Sequence, residues 1–138
     1  MELRVGHLYA DIMNIYGDRG NVLVLRQRCR WRGIEPVVET IGLGARLEPD
    51  RYDFLFVGGG QDRDQQLMGR DLRDVKGLDV LAAADRGVVV LSVCGGYQLL
   101  GKYYRAADGT EVAGLGIFDA WTEHPGARAP RCTGNVLV

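Results

Sequence analysis

Hydrophobic residues fall along this chain in two rhythms that take turns. Leu3 to Tyr9 alternates as a first strand does. From Gly20 to Gly33 the period lengthens: Val22, Leu25 and Cys29 recur at helical spacing, and Gly33 is placed to end the helix. Glu35 to Ile41 reads as a second strand. Asp53 to Val57, Asp-Phe-Leu-Phe-Val, is a short buried strand running straight into Gly58-Gly59-Gly60. Leu72, Val75, Leu78 and Ala82 form the next helical stripe, closed by Gly87, and Val88 to Val93 has the pattern of another buried strand. A helical stretch from Tyr97 to Tyr104 follows, then a glycine-rich turn region from Gly109 to Phe118. Thr133 to Val138 begins one more strand.

Strands alternating with helices predict an α/β domain, a mostly parallel sheet with helices on both faces. Such folds bind ligands beyond the carboxyl ends of their strands. Gly58–Gln61 and Cys94–Gly96 both fall at such ends, so the pattern places them at one cleft.

Composition narrows the function classes. The chain has 138 residues, the size of one domain over 1–138, with no internal repeat or linker. A net charge of −1 argues against a general nucleic-acid binder. The basic residues are fifteen arginines and two lysines, scattered among acids as solvated faces are. Three unevenly spaced cysteines, none in a CxxC pair, resemble neither a disulfide framework nor a zinc site, which suits a reducing compartment. With no long apolar run and no signal-peptide pattern, the expected location is cytoplasmic, without a membrane span.

The run Val88–Gln98, Val-Val-Val-Leu-Ser-Val-Cys-Gly-Gly-Tyr-Gln, carries the chemistry. An apolar strand stops on Cys94, two glycines follow, and a helix begins. This is the sequence form of a nucleophile elbow, a tight strand–turn–helix corner that lifts one side chain into a cleft. The corner needs small residues two before and two after the nucleophile, here Ser92 and Gly96. The helix starting at Gly95 aims free N–H groups at the sulfur, and its positive end favours the thiolate, the reactive form. Cysteine is otherwise most often a small buried hydrophobe. Cys29, in an amphipathic helix pattern, and Cys132, in an apparent strand, fit that description.

Gly58-Gly59-Gly60-Gln61-Asp62 admits three readings. It lacks the Gly-Lys-Ser/Thr of a P-loop and is not GxGxxG, which weakens a phosphate cradle. A tight turn between strand and helix needs glycine for its own reasons. The third reading is an oxyanion donor: one backbone N–H from Gly59 or Gly60, with the Gly95 N–H as second, is what acyl transfer at a cysteine requires.

Cys-Gly-Gly-Tyr-Gln after an apolar strand resembles the class I glutamine amidotransferases, a flavodoxin-like three-layer fold, and within them the cobyric-acid-synthase-like group. Leu8 to Asn21, Leu-Tyr-Ala-Asp-Ile-Met-Asn-Ile-Tyr-Gly-Asp-Arg-Gly-Asn, together with Gly-Gly-Gly-Gln-Asp at 58–62, is more specific. It resembles the glutaminase subunits of lipid II isoglutaminyl synthases over essentially the whole chain. That resemblance implies that glutamine is hydrolysed at Cys94, with Gly95 and Gly59 or Gly60 as oxyanion donors. It implies that Arg131, in Arg-Cys-Thr-Gly-Asn, binds the glutamine substrate, with Arg128 a weaker candidate. It implies a heterodimer with a Mur-ligase-like subunit that takes the ammonia to amidate D-glutamate in the peptidoglycan precursor. ATP and magnesium belong to that partner, and this subunit needs no cofactor or metal.

One departure stands out. The family's histidine general base lies well beyond the point where this sequence stops. The chain offers only His7, in the first strand pattern, and His124, in a Glu-His-Pro turn, and neither occupies the family position. The expected object is an amino-terminal fragment of a longer glutaminase, inactive by itself. Three alternatives differ from this: a cobyric-acid-type amidotransferase, a non-catalytic amidotransferase-like subunit, and a DJ-1-like cysteine hydrolase or redox sensor.

Overall fold

The computed structural model describes residues 1–15, 18–126, 128, 129 and 134. Four strands form a fully parallel sheet: β1 (Glu2–Leu8), β2 (Glu35–Ile41), β3 (Phe54–Val57) and β4 (Val89–Ser92), in the order β2-β1-β3-β4. Helix α1 (Asp18–Arg30) connects β1 to β2. Helices α2 (Asp62–Asp71) and α3 (Gly77–Asp85) connect β3 to β4. The chain leaves β1 first towards one edge of the sheet and then, from β2, towards the other. Right-handed crossovers therefore put α1 on one face and α2–α3 on the opposite face. The α/β class and its parallel sheet are as the sequence predicts.

The two faces are filled differently. Leu8, Ile41, Leu55 and Val57 point to the α2–α3 side and join Met68, Leu72, Val80, Ala83 and Leu99 in one buried cluster. Deleting one such side chain costs about 2–5 kcal/mol when the site cannot collapse. The alternate residues Val5, His7 and Phe56 point to the α1 side, where Val22 and Cys29 of α1 are buried. Register carries that side on to Val89 and Leu91 of β4, since Phe54 pairs with Val89 and Phe56 with Leu91. Those two residues are 58% and 46% exposed. The fully buried strand expected over Val88–Val93 is thus an edge strand of the described sheet, with an open α1-side face.

Helix boundaries follow local chemistry. Asp18 stands in the first turn of α1 and Arg28 and Arg30 in the last, each favourable to the helix dipole. Gly33 adopts φ +69°, and the N–H groups of Gly33 and Ile34 return to the carbonyls of Arg30 and Cys29, both at 3.0 Å. That left-handed turn is why glycine ends the helix there.

Three expectations need correction. Only Leu72 of the stripe Leu72–Val75–Leu78–Ala82 is fully buried: Leu78 is 83% exposed, and Met68, Lys76, Val80 and Ala83 are buried with Leu72. A π-helical turn, Leu72–Lys76, joins α2 to α3 and rotates the second helix relative to a regular 3.6 period. The helix expected over Tyr97–Tyr104 is α4, Gly95–Leu100, and Tyr103–Arg105 is a strand, β5. Gly101 takes an extended conformation and packs its backbone where a Cβ would stand 2.7 Å from the Ala120 carbonyl oxygen. The glycine-rich turn region contains a strand, β6 (Glu111–Ala113). With β7 (Thr122–Glu123) these strands form a small sheet in the order β6-β5-β7. The strand expected over 133–138, with Cys132, lies outside the described residues except for Gly134.

Lys76 is a fully enclosed charged group. Lys76 pairs with Asp71, whose two oxygens also accept from the Tyr9 hydroxyl (2.8 Å) and the Gly44 N–H (2.7 Å). Burial alone raises the Asp71 pKa, but the bonds from Lys76, Gly44 and Tyr9 outweigh it and hold the carboxyl below its ordinary range. The cluster pins the carboxyl end of β1, where Tyr9 itself adopts φ +55°. Among the described residues no helix is long and apolar enough to cross a membrane.

Candidate active site

Cys94 follows β4 directly and precedes α4. Its backbone sits at φ +52°, ψ −115°, a region that costs a non-glycine residue about 1–3 kcal/mol. Its side chain is exposed, whereas Cys29 is buried. The strained corner expected of a nucleophile elbow is therefore present, with the sulfur presented outward.

Two adjacent strands hold the corner. The Val93 N–H donates to the Val57 carbonyl at 2.9 Å, extending the β3–β4 pairing past the end of the sheet. The Gly96 N–H donates to the carbonyls of Gly58 and Val93, both at 3.0 Å. A Cβ on Gly96 would stand 2.6 Å from the Val57 carbonyl oxygen, so α4 starts this close to β3 only because residue 96 is glycine. The cysteine loop and the triple-glycine loop are thereby hydrogen-bonded neighbours, at the shared end of β3 and β4.

The direction of each peptide in the glycine loop follows from its partners. A trans peptide points its carbonyl and N–H in opposite directions. The Gly58 carbonyl faces Gly96, so the Gly59 N–H points away from α4, and it donates to Asp18 Oδ2 at 3.1 Å. The Gly59 carbonyl is approached by the Ile15 N–H at 3.5 Å, which turns the Gly60 N–H the other way. Gly60 in turn offers its carbonyl to Gln65 Nε2 at 3.1 Å. Of the two candidate donors in this loop, Gly59 is engaged by a carboxylate. Neither the Gly60 nor the Gly95 N–H has a protein acceptor among the described residues.

Sequence reading missed the residues that hold this loop. Asp18, fully buried, packs its carboxylate against Gly58 and caps Gly59. Gln65, also buried, bridges the two loops: it binds the Gly60 carbonyl and lies against Gly95, where a Cβ would stand 2.7 Å from its Nε2. Met13, buried, lies beside Gly60 at 3.4 Å from a notional Cβ. The Tyr104 hydroxyl, within electrostatic reach of Cys94, donates to Asp62 at 3.1 Å, and burial, then this bond, raises its pKa. An acid two residues before the expected start of the first helix and a glutamine five residues after Gly60 were the available signals.

The two histidines stand elsewhere. His7 is buried on β1, its ring edge-on to Phe56 at 5.1 Å. His124, after β7, accepts the Gly126 N–H at Nδ1 (3.1 Å). Among the described residues, neither is hydrogen-bonded to Cys94. Arg128 is exposed, and Arg131 lies outside the described residues. No described cluster of His, Cys, Asp and Glu has the arrangement of a metal site.

Residues 4–137 match the model of the CobB/CobQ-like glutamine amidotransferase domain. The chain belongs to that family. It is 40% identical to the GatD subunit of a glutamine-hydrolysing lipid II isoglutaminyl synthase from Staphylococcus aureus, over 99% of this chain and 55% of that protein. The corresponding subunit from Streptococcus pneumoniae is 39% identical over 88% of this chain and 46% of its own length. A Caulobacter cobyric acid synthase shares 44% identity over 44% of this chain and only 14% of that enzyme. The chain thus spans about half the length of the GatD relatives it matches. The structure of PurLQS from Thermotoga maritima superimposes with a TM-score of 0.50 at 20% identity, covering 79% of this chain and 51% of that one, a likeness of fold.

Proposed function

We propose that this chain is the nucleophile-bearing part of a glutaminase subunit that feeds ammonia to a Mur-ligase-like partner of the MurT type, which amidates D-glutamate of lipid II to D-isoglutamine. The observation that carries the reading is the joined pair of loops: a strained, exposed cysteine tied through Gly96 to a glycine loop that offers one unengaged N–H beside it. Similarity to GatD over 99% of the chain supports the choice of acceptor. The cobyric acid synthase match, over less than half of the chain, supports it less.

In this reading the Cys94 thiolate attacks the side-chain carboxamide carbon of glutamine. The carbonyl electrons move onto oxygen, where the Gly60 and Gly95 N–H groups receive them. The C–N bond then breaks, ammonia leaves with a proton supplied by a general acid, and a thioester remains on Cys94. Water hydrolyses it to glutamate and regenerates the thiol. Arg131, with Arg128 as the weaker choice, binds the charged end of glutamine. The cysteine chemistry draws on backbone donors and side chains alone, and ATP and magnesium serve the partner. No histidine is hydrogen-bonded to Cys94 here, so residues 1–138 alone release no ammonia, even beside the partner.

Ammonia release by the full-length subunit with its Mur-ligase-like partner tests this reading. Cys94→Ala lowers turnover by on the order of 10⁴-fold or more, as loss of a covalent nucleophile does, and leaves the circular dichroism spectrum unchanged. Full turnover by Cys94→Ala refutes it. Hydrolysis by residues 1–138 that His124→Ala abolishes would make His124 the base.

A further inference from the structure

The face of the sheet covered by α1 contains a polar cavity that the chemistry at Cys94 does not use. It has a volume of about 270 Å³ and lies between β1, β2 and α1. His7 and Thr40, register partners on β1 and β2, point into it from the sheet, and Arg19 and Arg26 line it from the helix. The position of Arg26 is unusual for its type. It follows Val22 by four residues and precedes Cys29 by three, so it occupies the sheet-facing stripe of α1, where an apolar side chain belongs.

Two groups that line this cavity lack partners. His7 is 4% exposed and its Nε2 is buried without a hydrogen bond, and the Arg26 Nε is likewise buried and unbonded. Native interiors rarely leave such atoms unsatisfied, because each forfeits its hydration without compensation. A buried guanidinium N–H only donates, so what completes it is an acceptor, and a charged acceptor most strongly. No ion pair engages Arg19 or Arg26 among the described residues. Asp11, exposed at the rim, supplies one negative charge against their two positive ones. Asp18, which does not line the cavity, acts electrostatically on His7; its Oδ2 is bound by the Gly59 N–H and its Oδ1 is buried without a partner. Among the residues that line the cavity, Arg19 and Arg26 against Asp11, positive charge is therefore in excess.

We propose that this cavity binds a small oxyanion, a carboxylate or phosphoryl group, held by Arg26 and Arg19 with His7 and Thr40 at its floor. The location agrees with the general placement of ligands in open α/β sheets, since His7 and Thr40 are one residue from the carboxyl ends of their strands. It is separate from the cleft at Cys94: β3 intervenes between β1 and β4 in the sheet. The cavity walls from Val22 and Val38 are apolar, which strengthens a charge-assisted bond to the ligand.

The test is a titration of the full-length protein with inorganic phosphate in one arm and malonate in the other, read from the His7 ring resonances by NMR. One anion shifts His7 saturably, and Arg26→Met, which keeps the aliphatic stem, weakens that binding by on the order of 10-fold, the usual scale for a hydrogen bond to a charged group. Saturation by phosphate alone assigns a phosphoryl ligand, and saturation by malonate alone a carboxylate. Thr40→Val provides a second variant on the opposite wall, with a smaller expected loss. No saturable shift at His7 with either anion overturns the proposal, as does unchanged binding in both variants.

Discussion

At the carboxyl end of β3 the chain turns through three glycines, and at the carboxyl end of β4 it turns through a cysteine and two glycines. The first turn is held from outside. Asp18 takes the Gly59 N–H, Gln65 takes the Gly60 carbonyl, and Gly58 leaves no room for a Cβ against Asp18. The hydrogen bonds that hold the second turn are all backbone: Val93 to Val57, and Gly96 to Gly58 and Val93. Strain is stored only in the second, at Cys94. A donor loop works when its N–H groups are aimed in advance, so side chains fix each peptide. A nucleophile works when its side chain is pushed clear of the sheet, which a strained φ accomplishes and a stack of backbone bonds maintains.

On the proposed reading of the first loop as an oxyanion donor, removing the side chains that aim it disarms it with Cys94 untouched. Asp18→Ala and Gln65→Ala in the full-length protein each lower ammonia release by about 10- to 100-fold, below the full loss of a donor because the N–H itself survives. Asp18→Asn restores most of the rate, since its amide oxygen still accepts from Gly59. The loss falls on kcat more than on KM, because the tethered groups do not touch ground-state glutamine. An equal rise in KM for all three variants would assign them a purely structural role.

Steric demand separates the loops in a second way. A Cβ at Gly96 meets the Val57 carbonyl at 2.6 Å, but one at Gly60 meets Met13 Cγ at an ordinary 3.4 Å. Gly96→Ala therefore destabilises the fold by about 1–3 kcal/mol, the scale of overpacking, while Gly60→Ala stays within about 0.5 kcal/mol, the range of substitutions without such a clash. Urea unfolding of the two variants decides it, and equal midpoints would erase the distinction.

The same comparison shows what the sequence made legible. Both loops, the parallel sheet and the elbow at Cys94 follow from residue pattern, because apolar strands ending on glycine are local signals. The tethers do not. Asp18 lies forty-one residues from Gly59, and only the β1–β3 pairing that brings α1 beside the loop makes it a cap. The buried stripe of the second crossover was equally hidden, since one π-helical turn at Leu72–Lys76 shifts every later face. Tyr103 and Tyr104 read as helix because they continue an apolar run, but Gly101 breaks that run by packing against Ala120. The exposed faces of Val89 and Leu91 depend on what covers β4, which residue pattern cannot specify.

Strain at Cys94 has its own measure. Glycine at a positive φ is relieved of the Cβ clash, so Cys94→Gly is more stable than Cys94→Ala by about 1 kcal/mol despite glycine's greater unfolded-state entropy. Thermal unfolding in the same buffer compares them. A less stable glycine variant would show that the corner is relaxed and that the cysteine is presented by the backbone bonds alone.

The smallest effect concerns His7, on which the charge of Asp18 acts. Burial lowers the His7 pKa, with the Asp18 charge opposing it, so the folded protein holds the ring neutral more strongly than the unfolded chain does. The sign follows from linkage: the unfolded state takes up the proton first as pH falls. His7 thus contributes stability above its unfolded value of about 6.5, and that contribution is lost as pH drops through the lower folded value. For one proton the slope is at most about 1.4 kcal/mol per pH unit. Urea unfolding between pH 7 and pH 5 measures it against His7→Phe, which keeps the contact with Phe56 and cannot titrate. The native protein loses stability faster than the variant over that interval. Parallel curves would place the acid sensitivity in the carboxylates, and a protein that gained stability on acidification would mean that Asp18 captures the proton on His7 as an ion pair, coupling this ring to the cap on Gly59.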